Sequence, residues 1–223
     1  MDINNFAKMI QISGIFGILA FVTVPVTMVL YFMYQGTPPV WNVLLRTLIS
    51  MLALIFVLIF FSGINQIIKQ SDKNNEWISS LIFNTVCIYL TTNFVAHSLE
   101  AGSVLNPQGM AVDATQDGIL AQGNYLLYGS IGRIITATYM IAIGIVTLQT
   151  KIFPEWTGWI ALVIGIINIA FIPSMFFGTR AGDFYSAIGW GNSAFAASTY
   201  IYWVFIISII IIKDKHEYIK LIG

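Results

Sequence analysis

Long uninterrupted runs of apolar residues, separated by short polar segments, dominate the pattern of this chain. Six runs have the length of a membrane-spanning helix, which needs about 20 mostly apolar residues. They cover residues 12–34, 42–68, 77–99, 131–148, 156–177 and 187–212. The first run is too long for the apolar part of a cleavable signal and is expected to remain as a span. The pattern predicts one all-α domain over residues 1–223, a polytopic bundle of six transmembrane helices.

The connections between the runs contain residues that end helices, such as Pro38, Pro39 and Pro154. One connection, predicted to be an outer loop over residues 100–128, is much longer than the others. Its last part, residues 119–128, is apolar enough either to lie in the membrane interface or to extend the fourth helix. The sequence leaves both alternatives open.

Lysine and arginine are sorted to opposite ends of the predicted bundle. All lysines fall on one side of a six-span topology: Lys8, Lys69, Lys73, Lys151, Lys213, Lys215 and Lys220. Because cytoplasmic loops are enriched in positive charge, this pattern places both termini in the cytoplasm and the chain in the plasma membrane.

Three arginines lie toward the opposite, outer side: Arg46, Arg133 and Arg180. A guanidinium group is a planar donor that suits carboxylates and phosphates. Two interpretations follow from their positions. They extend to headgroups or pair with loop acids, or they bind an anionic ligand.

A stripe of polar residues lies on the outer half of the third predicted span. Tyr89, Asn93, His97 and Glu100 follow helical spacing on one face. His97 and Glu100 are close enough along the helix to form a direct hydrogen bond. Facing lipid would cost such groups several kcal/mol, on the order of 2.5–3.5 for a charge at the centre of a span. We therefore expect the stripe to face other helices or water.

These positions together predict an outward-facing polar vestibule. Its predicted ligand-binding residues are His97, Glu100, Arg133, Arg180, Asp183, Asn93 and Asn192. The opposite half of the bundle is nearly all apolar, which argues against a continuous polar pore. The alternative for the amides is that they form hydrogen bonds that hold helices together.

Composition excludes several classes of protein. Only 9% of the residues are charged, with ten cations and ten anions, whereas soluble domains carry about 25%. Zero net charge gives no basic surface for nucleic acid. No cofactor or metal is expected: no lysine lies within a span to hold retinal, His97 and His216 lie on opposite sides, and the lone Cys87 has no partner. A zinc site at His97 would depend on carboxylates, which is not a favoured ligand set.

The turn Phe153-Pro154-Glu155-Trp156-Thr157-Gly158-Trp159 precedes an apolar run. It resembles the Pro-x-Trp-x-Gly-Trp turn between two spans in a bacterial family of small six-span membrane proteins of unknown function. The resemblance covers the C-terminal half of the chain. It implies the architecture and carries no activity, cofactor or site residue.

The leading functional hypothesis is binding or transport of a small amphipathic or anionic ligand or lipid in the vestibule, with membrane lipids as the other partners. One alternative is a membrane-embedded enzyme that uses His97 with Glu100. Another is a non-catalytic accessory or structural subunit. A face of small residues at Gly158, Ala161 and Gly165 permits close helix contact, either within the chain or in a homo-oligomer.

Overall fold

The computed structural model describes residues 3–34, 37–71, 73–105, 121–180 and 182–219. Every regular element in these ranges is helical, and eight α-helices lie along them: α1 Ile3–Phe32, α2 Val40–Ser71, α3 Glu76–Val104, α4 Ala121–Leu126, α5 Gly132–Thr150, α6 Glu155–Phe171, α7 Ala197–Lys213 and α8 Lys215–Ile219. Two π-helical turns precede α5 and α7, at Leu127–Ile131 and Gly191–Ala196, and a 3-10 turn at Ile172–Phe176 follows α6.

Within the described ranges, six helical segments are long and apolar enough to cross a membrane, which confirms the predicted number. They are Ile3–Phe32, Val40–Ser71, Glu76–Val104, Leu127–Thr150, Glu155–Phe176 and Gly191–Lys213. The all-helical fold and the six segments fit a multi-pass membrane protein.

The first and last spans differ from their predicted bounds. The first helix begins at Ile3 rather than at residue 12, because Phe6 and Ile10 are fully buried and continue its inner face past the polar residues around them. The sixth begins at Gly191 rather than at residue 187, because the chain is still turning at Gly189, whose amide bonds back to Ser186.

The predicted outer loop is helical at both of its ends. Helix α3 continues to Val104, and α4 leads through the first π turn into α5. Residues 121–128 are helical, and the non-helical backbone of Gly129 places a kink between them and α5. Both alternatives for residues 119–128 stay predictions. Residues 106–120 lie outside the described part of the chain.

Around the bundle the helices follow the order α1, α2, α3, α5, α6 and α7, and α7 packs back against α1. We call the two ends the lysine end and the arginine end. At the lysine end, Lys215 Nζ lies 3.4 Å from Gln11 Oε1. At the arginine end, Arg46 of α2 and Arg133 of α5 are both buried.

Small residues let the helices approach closely. A Cβ atom at Gly14 of α1 would lie 2.5 Å from Ile212 Cγ1 of α7, and one at Gly165 of α6 would lie 2.5 Å from Ile141 Cγ1 of α5. Gly158 likewise faces Leu148 of α5. The small-residue face of α6 is thus used within the chain, where van der Waals packing holds apolar helices together.

Candidate functional site

A cavity of about 600 Å³ lies inside the arginine end of the bundle. One of its walls is polar and comes from α3 and α5. The residues of this wall are Tyr89, Asn93, His97, Glu100 and Arg133. A second wall comes from α1, from the second π turn and from the start of α7, and it is more apolar, formed by Val24, Thr27, Met28, Tyr31, Phe32, Ser193, Ala194, Ala197 and Ser198. The cavity is therefore amphipathic.

A buried ion pair lies beside the polar wall. Arg46 Nη2 of α2 lies 2.7 Å from Glu100 Oε1 of α3, and Arg46 Nε donates to the same oxygen at 3.1 Å. The two side chains are 3% and 2% exposed. Tyr31 of α1 completes the group, since its ring centroid lies 4.2 Å from Arg46 Cζ and its hydroxyl 3.4 Å from Glu100 Oε1. Three helices are thus joined, and the charges of Arg46 and Glu100 cancel.

Tyr128 connects His97 to this ion pair. Its hydroxyl lies 2.6 Å from His97 Nδ1 and donates to Glu100 Oε2 at 3.2 Å. The direct distance from His97 Nδ1 to Glu100 Oε2 is 3.6 Å, which is too long for a good hydrogen bond. The expected contact between the two residues is therefore mainly indirect. His97 Nε2 has no hydrogen-bond partner within the described ranges, and His97 lines the cavity.

Arg133 is the second buried cation of the site, with 2% of its surface exposed. Its guanidinium donates to two neutral oxygens, Asn168 Oδ1 of α6 at 2.9 Å and the Tyr128 carbonyl at 3.2 Å. Its Nε atom is buried without a partner. Among the described residues, no carboxylate forms an ion pair with Arg133, which nevertheless lines the cavity.

Both π turns border the cavity. Tyr128 and Gly129 belong to the first turn, and Ser193 and Ala194 to the second. Gly129 has non-helical backbone angles, φ −83° and ψ −114°. Its neighbours leave little space, since a Cβ there would lie 2.8 Å from the Ala187 carbonyl oxygen. Single π turns inside α-helices occur frequently at functional sites.

The structure brings together some of the predicted ligand-binding residues. His97, Glu100, Arg133 and Asn93 all line the cavity, and Asn93 Nδ2 donates to the Tyr89 carbonyl. The stripe on α3 is buried, as expected from the cost of exposing it to lipid. Asn192 is fully buried but is not part of the lining.

Three of the predicted residues lie outside the lining of this cavity. Asn192 donates to Ser174 Oγ and to the Ala187 carbonyl, and so holds the second π turn against the end of α6. Arg180 and Asp183 are exposed in the connection between α6 and α7 and do not line the cavity. A hydrogen bond from the Ala187 amide to the Gly178 carbonyl folds this connection back on itself.

Sequence reasoning did not assign Tyr31 and Tyr128 to the site and left the partner of Arg46 open. The signal for Arg46 was present, since pairing with an acid near the outer loop was one of its two interpretations. Tyr31 gave no comparable signal, because tyrosine near the end of a span is common at membrane interfaces.

The site can neutralise and orient an anion. Its polar wall offers an imidazole and several hydroxyl and amide groups. It also offers the Arg133 cation, which has no carboxylate partner among the described residues. Within the described ranges, no group of three or more His, Cys, Asp or Glu side chains could hold a metal ion. Among the described residues, the hydroxyl within hydrogen-bond distance of His97 belongs to Tyr128, and no serine hydroxyl forms a hydrogen bond with this imidazole. Comparison of this chain with models of protein families, with curated proteins and with solved structures finds no match.

Proposed function

We propose that this chain is an integral membrane protein that binds a small amphipathic anion in the cavity at the arginine end. The observation that carries the proposal is Arg133, a buried cation that lines the cavity and has only neutral partners within the described ranges. Burial of a charge is costly unless it is paired. A bound anion would supply the missing charge.

The charges of the site support a ligand with one negative charge. Arg46 and Glu100 neutralise each other at 2.7 Å, so neither is available without breaking a buried pair. Arg133 remains as a single positive charge. A carboxylate or phosphate would find hydrogen-bond donors there in a planar arrangement.

The size and the lining of the cavity support a small ligand with an apolar part. Ligand sites in proteins usually enclose about 300–1,000 Å³ and are lined mainly by apolar groups with a few polar groups for orientation. The cavity, at about 600 Å³, combines one polar wall with one mostly apolar wall.

The lysines support a topology with the arginine end outward. Lys8, Lys69, Lys151, Lys213 and Lys215 lie at the lysine end. By the positive-inside rule that end, and with it both termini, faces the cytoplasm of a cell whose plasma membrane holds the protein. The cavity would then be accessible from outside or from the outer leaflet. Labelling of a single cysteine introduced at Lys215 in a Cys87→Ala background tests this, since an outside reagent that modifies it in intact cells would reverse the topology.

The binding experiment compares Arg133→Gln with Arg180→Gln, an exposed arginine outside the cavity. The probe is octanoate, with octanol as the neutral control, and the measurement is the ligand-induced rise in melting temperature of the protein in a neutral sugar detergent. We expect octanoate, but not octanol, to stabilise the wild type and the Arg180→Gln variant. Arg133→Gln should abolish this effect.

The unliganded variants provide a second readout. Because Arg133 lacks a charged partner, its replacement by glutamine should leave the melting temperature of the free protein unchanged or raise it. A large loss of stability in the free Arg133→Gln protein, or octanoate stabilisation that survives the substitution, would contradict the proposal. An enzyme that uses His97 and an accessory subunit remain the alternative predictions. Binding of the anion without turnover of ester or amide probes would favour the proposed function over an enzyme that uses His97.

A further inference from the structure

Helices α1 and α7 lie side by side along a line that we call the seam. The contact between them differs between the lysine end and the arginine end. At the lysine end the two helices are in direct contact. Gly14 and Gly17 of α1 face Ile212 and Ser208 of α7, and the rings of Phe21 and Phe205 stack with centroids 4.3 Å apart. This antiparallel contact closes that half of the bundle.

Toward the arginine end the same two helices line the cavity instead. One and two helical turns beyond Phe21, Val24 and Met28 face it from α1, while Ala197 and Ser198 face it from α7. Pro25 lies at this point of α1 and cannot donate a backbone hydrogen bond to the Phe21 carbonyl. One backbone hydrogen bond of α1 is therefore absent at the level where the two helices begin to line the cavity.

The outward side of this seam faces the surroundings of the bundle. Only 17% of the apolar window of α1 is buried inside the protein, the lowest value of the six spans. Two cavity-lining residues of α1 are exposed, Met28 at 37% and, at the end of the helix, Phe32 at 82%. In a membrane, apolar side chains with this exposure contact lipid chains.

The cavity is thus polar at α3 and α5, deep in the bundle, and apolar at the α1–α7 seam, where lipid begins. We infer that the gap between α1 and α7 is a lateral opening to the bilayer, and that the ligand is a single-chain amphiphile with a monoanionic carboxylate or phosphate head. The head binds at Arg133, and the alkyl chain passes between Met28 and Ala197 into the leaflet. This inference rests on the proposed function and adds the chain and its route.

Charge and shape together favour this occupant over a purely soluble anion. A free anion needs only the polar wall, and the apolar wall would then remain in contact with water. An alkyl chain there covers the apolar wall and removes it from water.

The experiment measures stabilisation by octanoate and by palmitate in protein variants with a blocked seam. Ala197→Phe and, as a second variant, Ala194→Phe place a ring in the gap. Ala170→Phe is the matched control, because Ala170 lies exposed on α6 and does not line the cavity. We expect the blocked variants to weaken palmitate binding at least tenfold and octanoate binding less than twofold, since the short chain fits inside the cavity. The control should bind both probes as the wild type does.

The outcomes separate the two proposals. Loss of both probes in Arg133→Gln, together with selective loss of palmitate in the blocked variants, supports both. Equal palmitate binding in the wild type and in both blocked variants, or equal loss of both probes in them, would overturn the lateral opening while the anion site stands. Retention of both probes in Arg133→Gln would overturn the anion site itself.

Discussion

The buried ion pair between Arg46 and Glu100 permits a quantitative prediction about stability. The two side chains are almost fully buried and 2.7 Å apart, and Tyr31 and Tyr128 donate to the same carboxylate. Glu100→Gln would leave the guanidinium of Arg46 without its anion. Removing one partner of a buried pair costs about 3–5 kcal/mol, because the remaining charge is buried without compensation.

The second variant, Arg46→Gln, should lower the free energy of unfolding by a similar amount, because it leaves the Glu100 carboxylate buried without its cation. In the double variant neither charge remains, and two glutamines can form a hydrogen bond with each other. We therefore expect the double variant to be no less stable than either single variant. The interaction energy from the double-mutant cycle should then be at least as large as the loss in one single variant, about 3–5 kcal/mol, which is at or above the top of the usual range for contacting residues.

The assay is reversible unfolding in mixed micelles of dodecyl maltoside and sodium dodecyl sulfate, followed by tryptophan fluorescence. A loss of about 3 kcal/mol lowers the folding equilibrium constant more than a hundredfold. Glu155→Gln is the control, because its pair with Lys151 is 2.8 Å long but highly exposed, at 56% and 71%. Exposed pairs contribute little, so this variant should unfold with the wild type. Additive losses in the double variant would refute the reasoning, because they would show that the two charges do not interact.

Further predictions concern other contacts. Gly17→Val should lower the free energy of unfolding by about 1–3 kcal/mol through overpacking, because a Cβ there would lie 2.7 Å from Phe60. The control is Gly102→Ala, which meets open space and should leave the free energy of unfolding unchanged in the same assay. Tyr128→Phe should lose about 1 kcal/mol, the net contribution of a typical hydrogen bond, and an unchanged stability would show that its hydroxyl contacts carry no energy. Burial, with a smaller effect of Asp214, raises the pKa of Tyr218 on α8 above its usual value of about 10. The stability that the neutral Tyr218 hydroxyl gives to the packing of α8 is therefore present below pH 10 and is lost as the pH rises further. Tyr218→Phe should remove this pH dependence, which is measured as the melting temperature at a series of pH values.

The spans could be predicted from the sequence because crossing a membrane demands a long apolar run whatever the neighbouring helices are. The burial of the α3 stripe followed from the same physics, since Asn93, His97 and Glu100 would be costly in lipid. What the sequence could not provide was the rotation of one helix against another. Glu100 and Arg46 lie on different helices, and only the packing of α2 against α3 brings them together.

Arg180 and Asp183 show a different limit. Their position at the arginine end was predicted correctly, but a connection folds by its own backbone bonds rather than by a periodic pattern. The bonds from Ser186 and Ala187 back to Arg180 and Gly178 decide where those side chains point. No composition signal marks such a turn. The resemblance to a family of six-span proteins remains a prediction.

The π turn at Leu127–Ile131 has a consequence for how this site is encoded. In a regular α-helix, residues five apart such as Tyr128 and Arg133 lie about 140° apart around the axis. The segment Leu127–Ile131 departs from this geometry at Gly129, and the Tyr128 carbonyl accepts a hydrogen bond from Arg133 there. Deletion of one residue here would restore the regular phase and rotate the Tyr128 hydroxyl away from His97, although every side chain of the site would still be present. A single change in chain length could therefore create or erase the arrangement, independently of which amino acids form it.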